Sequence, residues 1–174
     1  MQGTGSLPRL AAIDVGTNTI RLVVADVDSA ASYRVLDEER AQTRLGEGLY
    51  QTGRIGAAPM DRSLSALERM RALAEGMGVQ DLRAIATAAV REAENGDEFL
   101  RAAKTKAGVR IQVISEDEEA RLAFRSVRKH FPLTDRPTAI VDIGGGSLEV
   151  ILSAGGMIEQ THSLRLGAVR LTER

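Results

Sequence analysis

Cysteine is absent from the 174-residue sequence. Its absence excludes disulfide bonds, thiolate zinc sites and a thiol nucleophile, and it fits a protein of a reducing compartment. The chain also lacks the basic start and apolar run of a signal peptide, and no apolar stretch reaches membrane-spanning length. We therefore expect a soluble, cytoplasmic protein that does not bind a membrane.

A large net charge is also absent, since the 23 basic residues are nearly balanced by 24 acidic ones. No overall field favours nucleic acid or an anionic membrane, so we expect no nucleic-acid partner, and any polyanion must be held locally. Lysine is scarce: only Lys104, Lys106 and Lys129 are lysine, which leaves twenty arginines. Arginine suits bidentate phosphate contacts, although a coding bias explains the count equally well.

The spacing of apolar and turn residues predicts strands and helices in an order typical of an α/β fold with a mixed sheet. The predicted strands are 10–15, 19–27, 33–40, 82–87, 110–114, 138–143, 148–153 and 157–164. The predicted helices run from 59 to 76, from a cap at Asn95 to 108, and from a cap at Ser115 to about 129. A glutamate three residues after each of these two caps completes a capping-box pattern.

Pro132 and Pro137 bracket a polar connector that divides the chain. We predict a disordered N-terminus over residues 1–8, a first domain over 9–131, the connector over 132–137, and the first strands of a second, incomplete domain over 138–174. A hydrophobic content of 43% is enough for one complete domain and part of another.

A sequence repeat links the two predicted domains. Each opens with a strand that ends in Asp-x-Gly, at Asp14 and at Asp142, and a second strand follows the turn. An aspartate beside a tight glycine turn places a carboxylate next to backbone N–H groups that can surround phosphate oxygens and a metal ion. Seven positions after each aspartate comes a charged residue, Arg21 or Glu149, which the hairpin should return alongside the carboxylate. One such turn is common, but two copies that each open a three-strand unit favour a phosphate site.

The duplicated turn resembles the actin, Hsp70 and sugar-kinase superfamily, in which two related domains each contribute a hairpin that clasps nucleotide phosphates. Five motifs in the same order resemble, more narrowly, the exopolyphosphatase and pppGpp phosphatase (Ppx/GppA) family: 12–22, 86–95, 113–120, the Asp142 turn and 163–173. The resemblance implies an α/β, actin-like ATPase (ribonuclease H-like) domain with a mixed sheet, followed by the start of a second domain of the same type. It also implies a hydrolase that removes the terminal phosphate of polyphosphate or the 5′-phosphate of pppGpp.

The resemblance further implies a role for each motif. Glu119 would be the general base that activates water, and Arg91 would grip phosphate oxygens. Asp14, Asp142 and Glu149 would hold Mg²⁺, partly through waters, because this ion keeps much of its hydration. The other phosphate contacts would come from the two turns and the first hairpin, namely Asp14, Gly16, Thr17, Asn18, Arg21, Gly144, Gly145, Gly146 and Ser147.

Two positions depart from the family pattern. Glu116 stands where the family usually has glycine, and Leu148 replaces the threonine that commonly precedes the acidic residue of the second turn. Family members are also considerably longer, and their second domain continues beyond the motif at 163–173. We expect either a piece of a longer hydrolase or a chain whose exposed second half pairs with another copy as a homo-oligomer, a dimer.

Two other functions stay open. A kinase of the same superfamily would transfer phosphate from ATP to an acceptor, although Glu119 and Arg91 in their motifs favour hydrolysis. A non-catalytic phosphate or nucleotide sensor would bind in the presence of Mg²⁺ and show no turnover. Within the hydrolase interpretation, the motifs do not separate polyphosphate from pppGpp as the substrate.

Overall fold

The computed structural model of the chain describes residues 7–28, 32–134 and 136–173. Residues 1–6, which form most of the segment we predict to be disordered, lie outside these ranges. The strands are β1 (Arg9–Val15), β2 (Ile20–Val27), β3 (Tyr33–Ala41), β4 (Asp81–Ala86), β5 (Ile111–Val113), β6 (Thr138–Ile143), β7 (Leu148–Ala154) and β8 (Met157–Leu164). The helices are α1 (Leu49–Thr52), α2 (Ala57–Gly76), α3 (Ala88–Glu92), α4 (Gly96–Thr105), α5 (Glu116–His130) and α6 (Ala168–Thr172). Among the described helices, none combines the length and the apolar character needed to cross a bilayer.

The first sheet has five strands in the order β3-β2-β1-β4-β5. β1 to β3 form an antiparallel meander, whereas β4 pairs in parallel with β1 and β5 pairs in parallel with β4. Alternate residues of β1, such as Ile13, are buried with Leu67 and Met70 of α2 and Phe99 of α4 in the larger hydrophobic core. The sheet is therefore mixed, and the carboxyl ends of β1 and β4 lie side by side.

The second sheet is antiparallel, with the order β6-β7-β8. One face is covered by α5, whose Ala120 and Phe124 pack with Ile140 and Ile151 in a smaller core. We assign α5 to the first domain from the sequence, yet the helix packs on this second sheet. The domain limits stay a prediction. Several apolar side chains elsewhere in this half are exposed, namely Val141, Ile143, Met157, Leu164, Leu166 and Leu171.

All the predicted strands and helices are present, with ends that agree to within three residues. The three helices that the sequence does not predict, α1, α3 and α6, have only four or five residues each. Segments this short contain too little periodic pattern to identify a helix.

The two predicted helix caps have different outcomes. The prediction for Ser115 is confirmed, because its hydroxyl accepts a hydrogen bond from the Glu118 N–H at 3.2 Å. Asn95 does occupy the N-cap position of α4, but the predicted side-chain cap is wrong, since its side chain makes no cap hydrogen bond. Its amide oxygen instead accepts from the Ile55 N–H at 2.8 Å, and its amide nitrogen donates to the Ile55 carbonyl at 3.0 Å. Asn95 is buried and satisfies the backbone of a distant loop, which a local sequence pattern does not reveal.

Candidate active site

Both Asp-x-Gly hairpins have the register that the sequence predicts. Asp14 lies opposite Arg21 in the β1–β2 pair, and Asp142 lies opposite Glu149 in the β6–β7 pair. Residues opposite each other in an antiparallel pair project from the same face, so each aspartate has its charged partner as a neighbour. Glu149 is buried, with only 2% of its surface exposed, whereas Asp142 is exposed.

In the first turn, the carbonyl oxygens are held by a loop that follows β3. The Thr17 carbonyl accepts from the Gly46 N–H at 2.8 Å, and the Asn18 carbonyl accepts from the Arg44 N–H at 2.9 Å. In a trans peptide the N–H points opposite to the carbonyl of the same unit, so the N–H groups of Asn18 and Thr19 point away from this loop. Neither N–H donates to another group in the described part of the chain. These two donors are therefore available to a ligand.

In the second turn, α6 and the glycine before it hold the carbonyl oxygens. The bonds run from the Ala168 N–H to Gly144 (2.9 Å), from the Val169 N–H to Gly145 (2.9 Å) and from the Gly167 N–H to Gly146 (3.3 Å). By the same planarity, the N–H groups of Gly145, Gly146 and Ser147 point away from α6. They too donate to no described residue. Successive N–H groups of this kind form a concave site for anions.

The two turns touch each other. A Cβ on Gly145 would lie 2.9 Å from the Thr17 Cβ, and a Cβ on Gly146 would lie 3.0 Å from the Thr17 hydroxyl and 2.8 Å from the Ala88 Cβ. A cavity of about 330 Å³ lies between the turns, lined by Gly16, Thr17, Asn18, Thr19, Ile143, Gly144, Gly145, Ala168 and Val169. Glycine is required at 145 and 146 because any side chain would push the turns apart.

Arg91 and Glu119 are also brought together. Arg91 belongs to α3, directly after β4, and Glu119 belongs to the first turn of α5. The Nη1 atom of Arg91 donates to the Ile114 carbonyl at 3.0 Å and to Oε2 of Glu119 at 3.2 Å. Nη2 of Arg91 is buried and has no hydrogen-bond partner among the described residues. That nitrogen lies 3.7 Å from Oε1 of Glu116.

The carboxylates of the site perturb one another. Burial, and after it the charge of Glu149, raise the pKa of Glu119 to about 7 against the opposing effect of the hydrogen bond from Arg91. The pKa of Asp14 is also raised, chiefly by burial of the carboxyl, with Arg21 opposing the shift and Asp142 adding to it. The Asp14 residue as a whole is nonetheless exposed to solvent. A pKa near 7 suits a general base that works at neutral pH.

The predicted magnesium ligands are carboxylates, which Mg²⁺ prefers. Within the described ranges, however, no three acidic or histidine side chains converge closely enough to ligate one ion directly. The charge of Asp142 contributes to the raised pKa of Asp14, so the two carboxylates repel each other, and a bound cation would relieve that repulsion. These residues fit an ion that keeps most of its waters. Arg21, a predicted phosphate contact, donates to Glu38 at 2.7 Å.

The sequence reasoning missed the segments that support the turns, which are the loop at 44–46 and α6. A sequence signal for these segments did exist: a glycine stands in the loop, and another directly before α6, where the backbone lies against a turn. A Cβ on Gly46 would overlap the Thr17 side chain, and a Cβ on Gly167 would overlap the backbone of Gly145 and Gly146. Neither glycine has a positive φ, so close approach explains them both.

Comparison with known proteins shows the family to which the chain is similar. The family model for the Ppx/GppA phosphatase family matches residues 23–174. Exopolyphosphatase 1 of Mycobacterium tuberculosis is 35% identical over 164 residues, which are 94% of this chain and 48% of that protein. The chain thus spans about half the length of the curated relatives it matches.

Solved structures agree with this similarity. An exopolyphosphatase from Cytophaga hutchinsonii superposes with a TM-score of 0.90 at 32% identity, over 95% of this chain and 53% of that one. A Ppx/GppA family member from Aquifex aeolicus superposes with a TM-score of 0.80 at 31% identity, over 95% of this chain and 54% of that one. The predicted fold class, an actin-like ATPase domain with a mixed sheet and the start of a second domain, is confirmed.

Proposed function

Because the chain belongs to the Ppx/GppA phosphatase family, we propose that it hydrolyses the terminal phosphoanhydride bond of inorganic polyphosphate by direct attack of water. The observation that supports this proposal most strongly is the position of Glu119. Its carboxylate, with a pKa of about 7, lies beside the Arg91 guanidinium, and its charge interacts with Asp14 and Glu149 of the two hairpins. The base is thus close to both turns.

Different residues of the chain would carry out different parts of the reaction. Glu119 takes a proton from water, whose oxygen attacks the terminal phosphorus while the bond to the bridging oxygen breaks. Arg91 and the unpaired N–H groups of both turns hold the oxygens of the transferred phosphoryl group, where charge develops. The hydrogen bonds to their own carbonyls hold both turns in place, so the turns would fix the position of the terminal phosphate.

Mg²⁺ belongs to the same proposal. Asp14, Asp142 and Glu149 would hold the hydrated ion, and when bound it would offset the negative charge of the phosphates. Without a cation, these carboxylates would repel a polyanion. The 5′-phosphate of pppGpp presents the same bond, so we propose it as a second substrate for the same site.

The test is phosphate release in the presence of Mg²⁺ from polyphosphate, pppGpp and ATP, each at several concentrations. We expect orthophosphate both from polyphosphate and from pppGpp. Transfer of phosphate to an added acceptor without orthophosphate would indicate a kinase. Tight binding of tripolyphosphate with turnover at the background rate would indicate a sensor, and either result would contradict the proposal.

The pH dependence of hydrolysis follows from Glu119. A base must be unprotonated, and burial raises the pKa of this carboxyl to about 7. We expect kcat/KM for polyphosphate to rise with pH up to about 7 and then to level off. Initial rates between pH 5 and 9 at constant ionic strength would show this. A profile that is already flat from pH 5 would contradict the role of Glu119 as the base.

Glu116 should weaken phosphate binding, because it competes for Arg91. Its carboxylate lies 3.7 Å from Nη2 of Arg91 and is half-exposed. Exposed ion pairs are weak, so we expect Glu116→Gln to lower KM for tripolyphosphate only about two- to fivefold, with little change in kcat. Glu118→Gln removes the same charge from the same helical turn and has no contact with Arg91, which makes it the matched control. Equal effects of both substitutions would indicate a general charge effect and contradict the competition.

A further inference from the structure

Arg170 of α6 makes four close contacts beneath the second turn. Its Nε donates to the Gly146 carbonyl at 2.8 Å, and its Nη2 donates to both carboxylate oxygens of Glu92 at 2.7 and 2.6 Å. The guanidinium also lies 3.9 Å from the centre of the Tyr50 ring. Only 11% of the Arg170 side chain is exposed. Hence this arginine is a largely buried component of the site, and its Nε and Nη2 are both engaged in hydrogen bonds.

The contact with Gly146 controls the direction of one phosphate donor. Gly146 and Ser147 share a peptide unit, so a carbonyl that points at Arg170 turns the Ser147 N–H the opposite way. The other bond to this carbonyl, from the Gly167 N–H, is longer at 3.3 Å. Arg170 therefore supplies the shorter of the two bonds that hold the peptide unit.

The contact with Glu92 connects the second turn to the phosphate-binding arginine. Glu92 directly follows Arg91 in α3, whereas Arg170 belongs to α6. One guanidinium thus contacts both the turn and the helix that supports Arg91. The Tyr50 ring contacts the same guanidinium and restricts its movement.

We infer that Arg170 is a positioning residue, which aims the Ser147 N–H and keeps the second turn in register with Arg91. This inference rests on the proposed function of the turns in phosphate binding. This role requires the guanidinium of an arginine, because Nε and Nη2 donate to different groups at the same time. A lysine at this position is a point charge that can pair with Glu92 but cannot bond both partners in the same geometry.

The test compares Arg170→Lys with Arg165→Lys in the 174-residue chain. Arg165 is an exposed arginine five residues earlier that has no hydrogen bond or ion pair among the described residues, so it controls for the substitution itself. The first measurement is the amide resonance of Ser147 in ¹H–¹⁵N spectra without ligand. The second is the Kd of tripolyphosphate with Mg²⁺ by titration calorimetry, and thermal unfolding confirms that both variants are folded.

For Arg170→Lys we expect a shifted Ser147 resonance and a Kd about tenfold higher or more, in line with the loss of a charge-assisted bond and the donor it aims. Arg165→Lys should leave both unchanged. An unchanged Ser147 resonance, or a shifted resonance with an unchanged Kd, would overturn the inference. If the wild-type chain did not bind tripolyphosphate at all, the proposed function would fail, while the Ser147 resonance would still decide whether Arg170 orients the turn.

Discussion

Glu119→Gln is expected to lower the rate of phosphate release from polyphosphate by about 10²–10⁴-fold, the usual contribution of a positioned general base. The amide cannot accept the proton of the attacking water. It has nearly the same shape, and its oxygen can still accept from Nη1 of Arg91, as the carboxylate does at 3.2 Å. We therefore expect KM to remain within a few fold of wild type and kcat to carry the loss.

Unfolding would not explain such a loss, because the substitution should stabilise the protein. The pKa of Glu119 is raised from 4.5 to about 7, so its ionisation destabilises the folded chain as pH rises through this interval. At pH 8 without metal, Glu119→Gln should raise the free energy of unfolding by about 1–3 kcal/mol. Glu118→Gln is again the matched control, with expected kinetics close to wild type. Equal kcat in wild type and Glu119→Gln would refute the assignment of the base.

Gly167→Ala is expected to disrupt the second turn and to lower kcat/KM by about 10²-fold, since displacements near 1 Å in a catalytic site have effects of this size. The added Cβ would overlap the backbone carbons of Gly145 and Gly146. Backbone cannot move aside as the end of a side chain can, so α6 and the turn must separate. The N–H of Gly167 and the following amides would then lose their bonds to the turn carbonyls.

The backbone conformation of Gly167, with φ −68° and ψ 154°, is ordinary for alanine, so close approach alone causes the expected effect. Gly76→Ala is the matched control, because a Cβ at Gly76 would have nothing within 4 Å. That substitution lies in α2 and should stabilise the chain by about 0.5–1 kcal/mol. Tripolyphosphate affinity and kinetics, measured for both variants, test the argument. Wild-type affinity in Gly167→Ala would contradict the support of the second turn by α6.

The sequence predicts the parts of the site that depend on local pattern. The alternation of apolar residues and the Asp-x-Gly spacing correctly place Arg21 opposite Asp14 and Glu149 opposite Asp142. The Ser115 cap is equally local, and it fixes the start of the helix that holds Glu119. Such features are set by residues within one hairpin or one helical turn.

Features that depend on distant contacts do not emerge from the same reasoning. Asn95 looks like a cap, but a loop 40 residues away supplies its partners. The bond from Arg170 to Gly146 and its ion pair with Glu92 join segments that are 24 and 78 residues apart. No periodicity or turn rule connects such positions, because tertiary packing brings them together. The raised pKa of Glu119 also depends on tertiary packing, since burial and the charge of Glu149 cause it.

The central claim, that the two turns and Glu119 direct water at a terminal phosphate, is tested most directly by hydrolysis of polyphosphate in ¹⁸O-labelled water with Mg²⁺, followed by ³¹P spectroscopy. We predict that the chain shortens from its end and that each orthophosphate released contains one oxygen from the labelled water. Orthophosphate without label, cleavage in the interior of the chain, or no orthophosphate at all would contradict the claim.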